Sequence, residues 1–387
     1  MFTVWLPALY PENTSLARKK DYFDTALDDA LLLSANLAET FAHAAFSEDA
    51  TIKQLATHST TSWLRSGWHL YKYSTIRIIR SRLNNTSEIL DRNLFLGMVT
   101  LARCEFMANN PHEGRVHLNA CLELVNTRGG LFSLSDDELE VLCLDDLILS
   151  ALSGKAPFTD LDEMQTAVQS RVNSAQPLPN WSDGFFAEFQ AMCPYDSMIW
   201  DGIVNLWSAT ELINNSSCSE FQSSGCENLV LRGLLAGLQL CSSATEEVDY
   251  FTDSLYQRAS FSECIRLAAL LVIFTTHLKD TPKVHLLDRI TSQLEWQLQR
   301  RQVSSFSSKT HSSIMLWINF LGAHGAQFPE SKLFFLQGIV QYAQALGIQS
   351  WPESRNLLKR FPYIDKDYDS SFQDIWELAQ FGQVMYQ

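Results

Sequence analysis

The chain has 387 residues, 46% of them hydrophobic, enough to bury one large core or two adjoining ones. With 29 Lys and Arg against 44 Asp and Glu, its formal net charge is −15, so its surface as a whole repels nucleic acid and anionic membrane. Its eight cysteines (Cys104, Cys121, Cys143, Cys193, Cys218, Cys226, Cys241 and Cys264) include no CxxC pair, which favours reduced core thiols over zinc ligands or disulfides. Only Cys218 and Cys226 share a polar stretch.

Residues 1–20 read as an extension. They lack a basic start, and Pro7 interrupts their apolar run, a poor match to a signal peptide. The longest apolar run, Leu267 to Phe274, is far short of the ~20 residues a membrane helix needs. From Asp21 to Phe46, the residues Phe23, Leu27, Leu31, Ala38 and Phe41 predict a helix with a broad apolar face. Asp49 is a candidate cap for the next helix, which Trp63, Leu64, Trp68, Tyr71, Ile76 and Ile79 carry to about Leu83. Its basic end, Arg77, Arg80 and Arg82, reads as a solvated terminus that suits the helix dipole.

The stretch Asp91–Gly130 predicts a pair of antiparallel helices. Leu94, Met98, Leu101 and Met107 repeat at helical spacing, with Leu96 and Phe106 beside them. Asn109-Asn110-Pro111 stops that helix, because proline lacks the amide proton and disfavours helix in the residue before it. Val116, Ala120 and Val125, with Leu118, Leu122 and Leu124, give the second helix its apolar face, and Gly129-Gly130 ends it.

Ser135-Asp-Asp-Glu138 is a capping box for a helix to about Leu152, and Thr159-Asp-Leu-Asp162 resembles another helix start. Residues 173–184 are the best internal break, and residues 214–228 the most loop-like stretch, expected to be mobile. Helical patterns return at Leu229–Leu240, Phe261–Leu278, from Thr281-Pro282, and at Ile314–Leu321 and Leu333–Leu346. Strand signals are nearly absent, so the expected fold is all-α, a large multi-helix bundle of antiparallel helical hairpins.

No GxSxG, HExxH, P-loop or GxGxxG motif occurs, so no catalytic residue, metal ligand or cofactor is assigned. His112 and His117 are five apart and fall on different helix faces, while His43 and His69 read as structural histidines. The ten tryptophans read mostly as core, with an aromatic ligand pocket as the alternative. In the tail, Phe372, Ile375, Trp376 and Ala379 predict that Ser371 to Gln380 packs as a helix, with the acidic run before it exposed.

Taken in order, several stretches resemble the regulatory domain of fungal-specific transcription factors, over roughly residues 25 to 380. They are His117, Ala120, Leu124, Val125, Gly129 and Gly130; then Cys264, Arg266, Leu267, Ala268, Ala269 and Leu270; then Leu316, Trp317, Gly322 and Ala323, with Phe334 and Phe335; and finally Phe361, Tyr363, Asp365 and Trp376. The domain so implied runs from 21 to 387. The family's DNA-binding module holds two zinc ions with six cysteines in two CxxC-led halves, and this sequence has none of that spacing. The resemblance therefore implies transcriptional regulation in the nucleus, without DNA contact or membrane contact by this chain. The partners implied are the transcription machinery or a DNA-binding protein, with a small-molecule effector and a homodimer left open. The competing readings are a regulator-like fold reused as a biosynthetic enzyme and a binder of small apolar ligands.

Overall fold

The computed structural model describes residues 24–46, 58–85, 91–171, 189–190, 197–215, 225–243, 253–277, 286–300 and 308–385. Every regular element among them is helical and none is a strand, as the sequence pattern predicts. Asp49, the 173–184 break and the Thr281-Pro282 start lie outside the described residues. The helices form two compact units, Met1–Gln169 with Asp280–His285, and Ser170–Lys279 with Leu286–Gln387.

The first unit is built around α3 (Arg92–Met107), against which α1 (Ala30–Phe46), α2 (His58–Leu83), α4 (Pro111–Arg128) and α5 (Asp136–Ser153) all pack. α6 (Leu161–Arg171) runs across the unit boundary. Because α3 has neighbours on all sides, it is buried beyond its predicted stripe: Phe95, Val99 and Ala102 are as inaccessible as Leu94 and Leu101.

Local chemistry sets the ends of these helices. The helix expected from Asp21 is interrupted at Asp29, whose carboxylate accepts the Leu31 and Leu32 amides at 2.8 and 3.1 Å and starts α1. Asn109 takes a left-handed φ of 54° in the α3–α4 turn, and Pro111 opens α4. α4 ends where Gly129, at φ 109°, turns the chain and the Gly130 amide returns to the Val125 carbonyl at 3.0 Å. The buried face of α4 is Gly114, Leu118, Cys121, Leu124 and Val125. That corrects the predicted face, since Val116 is 52% exposed and Ala120 is exposed too. Each of the two comes two residues after a buried one, Gly114 and Leu118, which at ~100° per residue puts it on the far side of the helix from the line that meets α3 and α5. The capping box at Ser135 and Glu138 forms as predicted, with both reciprocal bonds present. At α6 the cap is Asp160, which accepts the Glu163 amide, and Thr159 points elsewhere.

The second unit contains α7 (Ser197–Asn215), α8 (Gly225–Ser242), α9 (Asp253–Val272) with a π-helical turn (Ile273–His277), α10 (Leu286–Arg300), α11 (Lys309–Gly325), α12 (Pro329–Leu346), α13 (Trp351–Leu358) and α14 (Asp365–Met385). α7 pairs with α8, α9 with α10 and α11 with α12. The loop expected over 214–228 is shorter on both sides: Asn214 and Asn215 finish α7, and α8 begins at Gly225. Glycine lets α11 and α12 approach, because a β-carbon at Gly322 would collide with the Phe335 ring. The core is aromatic. Trp317 stacks on Phe361 with ring centroids 5.2 Å apart, Phe320 on Phe372 at 5.2 Å, and Phe372 on Tyr368 at 4.5 Å.

Trp376 is 4% exposed, so the tail helix packs as predicted. It starts earlier than Ser371, however, and Asp365 and Asp369 in its first turns are engaged. Arg355 donates to both oxygens of Asp369 at 2.7 and 2.6 Å, the Tyr363 hydroxyl donates to Asp369 at 2.8 Å, and Lys359 donates to Asp365 at 2.6 Å. Of the cations that recruit this run, Arg355 sits on the preceding short helix and Lys359 caps its end. Among the described residues no helix is long and apolar enough to cross a membrane.

Candidate functional site

The first unit encloses ionisable side chains, and enclosed charge is the feature most worth testing for function. Glu39 on α1, Arg103 on α3 and Asp145 on α5 meet where those helices pack. Arg103 donates through Nε and one Nη to the two Asp145 oxygens at 3.0 and 2.9 Å, and its other Nη lies 3.5 Å from Glu39 Oε1. Glu39 is 1% exposed and Asp145 2%, so two carboxylates share one guanidinium out of reach of water. Burial pushes Glu39 up to about 7; Arg103 opposes that shift and the Asp145 charge adds to it. Burial raises Asp145 as well, against the pull of Arg103.

A second group lies on the next residue but one of α3. The fully buried Glu105 carboxylate meets the Lys72 ammonium of α2, accepts from Asn110 Nδ2 at 3.2 Å, and has His117 Nε2 of α4 at 4.0 Å. Burial lowers His117 and Glu105 opposes that, so the imidazole is neutral at physiological pH. Between the two groups, burial lifts the Cys104 thiol far above the ordinary thiol range, and the Glu39 and Glu105 charges add to the effect. It is not a nucleophile.

Asp146, next along α5, ties down the approach to α6. It accepts the Phe158 and Thr159 amides at 3.1 and 2.8 Å and the Ser150 hydroxyl at 3.3 Å. Arg115 covers this corner, donating to Ser150 Oγ at 3.3 Å and the Ala156 carbonyl at 2.9 Å, with its guanidinium 4.0 Å from the Phe158 ring centroid.

The candidate residues of the sequence are dispersed over both units. His112 is exposed at the start of α4, and His43 is half-buried on α1. His69 is exposed on α2, its ring against that of Trp68 with centroids 4.4 Å apart. Arg77 and Arg80 are solvated as expected, whereas Arg82 is drawn onto Asp29 at 2.9 Å and Asp91 at 3.1 Å. Cys104, Cys121, Cys143, Cys241 and Cys264 are buried and outside any disulfide, and Cys226 falls in α8 instead of a loop. Cys193 and Cys218 lie outside the described residues. Trp63 and Trp296 depart from the core reading, being 63% and 49% exposed. Among the described residues, no three His, Cys, Asp or Glu side chains are grouped to hold a metal ion.

What the sequence reading passed over is the buried charge itself. Its signal was present: Arg103 and Glu105 interrupt the mostly apolar TLARCEFM, and Asp145-Asp146 interrupts LCLDDLIL. Chemically, the arrangement holds at Glu39 a carboxyl that burial pushes up to about 7, and it fixes three helices to one another. With every one of its carboxylates at 2% exposure or less, it does not present them to a substrate. Comparison with family models, curated proteins and solved structures finds nothing that matches the chain.

Proposed function

We propose that this chain is a regulatory module of the fungal zinc-cluster type of transcription regulator, working through protein partners in the nucleus without a zinc cluster in these 387 residues. In this reading it controls a metabolic or secondary-metabolite gene set, and a DNA-binding partner supplies the contact with DNA. The observation that carries the proposal is the ordered series of motifs from His117 to Trp376. Leu124 and Val125 are buried in α4 ahead of the Gly129 cap, and Cys264, Arg266 and Leu267 to Leu270 are buried in α9. Leu316 and Trp317 are buried in α11, and Phe361, Tyr363 and Trp376 are buried in the aromatic core. Ala120 is exposed and stands outside that pattern.

The test is a fusion of the whole chain to an unrelated DNA-binding module, read by a reporter gene in a fungal cell. Reporter output should change several-fold relative to the module alone, with the fusion in the nucleus. The purified chain should bind duplex DNA only non-specifically at physiological salt. An unchanged reporter, or sequence-specific DNA binding by the chain alone, overturns the proposal.

A further inference from the structure

In a chain of net charge −15, α2 is 26 residues long and contains no Asp or Glu. Its inner face is fully used. Trp68, Thr75 and Ile79 are buried, Lys72 pairs with Glu105, and Arg82 pairs with Asp29 and Asp91. Arg65 lies over the Phe46 ring. The outer face carries Trp63, Ser66, Leu70, Tyr73, Arg77 and Arg80, all exposed. Their spacing alternates three and four residues, which is the heptad spacing by which one helix seats another. A lone exposed leucine needs no explanation, but Trp63 at 63%, Leu70 at 65% and Tyr73 at 69% exposure lie in one register. Trp63 already rests one edge on Phe41, with ring centroids 5.2 Å apart, which gives the seam a fixed aromatic end.

We propose that this seam docks an amphipathic helix of another protein, apolar opposite Trp63, Leu70 and Tyr73 and acidic opposite Arg77 and Arg80. The charges select the occupant. A second copy of α2 brings no carboxylate: laid antiparallel it sets Arg80 beside Trp63 and Arg77 beside Ser66 with no counter-charge for either, and laid parallel it sets each arginine against its own copy. A helix with glutamates in its first turns satisfies Arg77 and Arg80 and, running antiparallel, places both sets of charges at the ends their helix dipoles favour. The proposal rests on α2 alone and goes beyond the transcriptional reading.

A synthetic three-heptad peptide is the probe, with glutamates in its first heptad and leucine at the seam positions of the other two. Its binding to the full chain is followed by fluorescence anisotropy. The acidic peptide should bind the parent chain, and a peptide with lysine in place of each glutamate should not. R77E/R80E should weaken the acidic peptide roughly tenfold or more and admit the lysine peptide, a charge swap that a merely unfolded variant fails to produce. L70S/Y73S should weaken binding of the acidic peptide roughly tenfold with unchanged circular dichroism. No binding of the acidic peptide at about 100 µM, equal binding of both peptides, or no swap overturns the inference. A dimer in sedimentation that R77E/R80E dissociates reassigns the seam to a second copy and overturns it too. No reporter enters this measurement, so it stands or falls separately from the transcriptional reading.

Discussion

The two units have helices of the same kind and cores of opposite chemistry. Around α3, the first unit encloses Glu39, Glu105, Asp145 and Asp146 among aliphatic side chains. Around α11, the second unit stacks Trp317, Phe361, Phe320, Phe372 and Tyr368. The second unit also buries an arginine, Arg266, but its neighbour Glu263 meets it with two bonds of 2.6 Å. In the first unit Arg103 faces two carboxylates, so one negative charge is left over inside the core. That surplus, not the presence of charge, should make the first unit lose stability as pH rises through about 7.

Four substitutions sharpen or break this contrast, each measured by urea unfolding with far-ultraviolet circular dichroism and tryptophan fluorescence. The largest effect is expected for Trp317→Ala, which removes a wholly buried indole and should cost about 4 kcal/mol, equally at pH 5.5 and pH 8. Next comes Arg103→Leu, which strands Glu39 and Asp145 and should cost about 3 kcal/mol at pH 8. At pH 5.5 the loss should be distinctly smaller, because a protonated Glu39 no longer needs the guanidinium.

Glu39→Gln should act the other way. With the folded value at about 7 against an ordinary 4.5, the stability linked to Glu39 is full below 4.5 and is lost as pH rises through 7. Glutamine removes that loss, so the variant should gain about 3 kcal/mol at pH 8 and next to nothing near pH 4.5. A variant with the parent's pH profile would erase the distinction between the cores. The smallest effect belongs to Arg355→Lys. It breaks a bidentate pair with Asp369 that is about a third exposed, and under about 1 kcal/mol is expected.

What the sequence made legible was local. The Asn109-Asn110-Pro111 turn, the Ser135–Glu138 box and the Gly129 cap each depend on residues within a few positions of one another, and each forms. The face of α4 was misjudged because period alone leaves the phase open: Val116 and Ala120 repeat as well as Leu118 and Cys121, and only the position of α3 and α5 decides. The acidic tail was misjudged because Arg355 and Lys359, which hold it, belong to a separate element. Glu39, Arg103 and Asp145 come from three helices far apart in the chain, and no pattern in the sequence announces that they meet.

Asp146 has a consequence for how the first unit opens. The Phe158 and Thr159 amides end on a carboxylate of α5, outside any backbone ladder of their own. Their protons can trade with deuterium in the solvent only when this segment lifts away from α5. The two amides are therefore a built-in gauge of that excursion, with Thr159, buried and held at 2.8 Å, the slower of the pair.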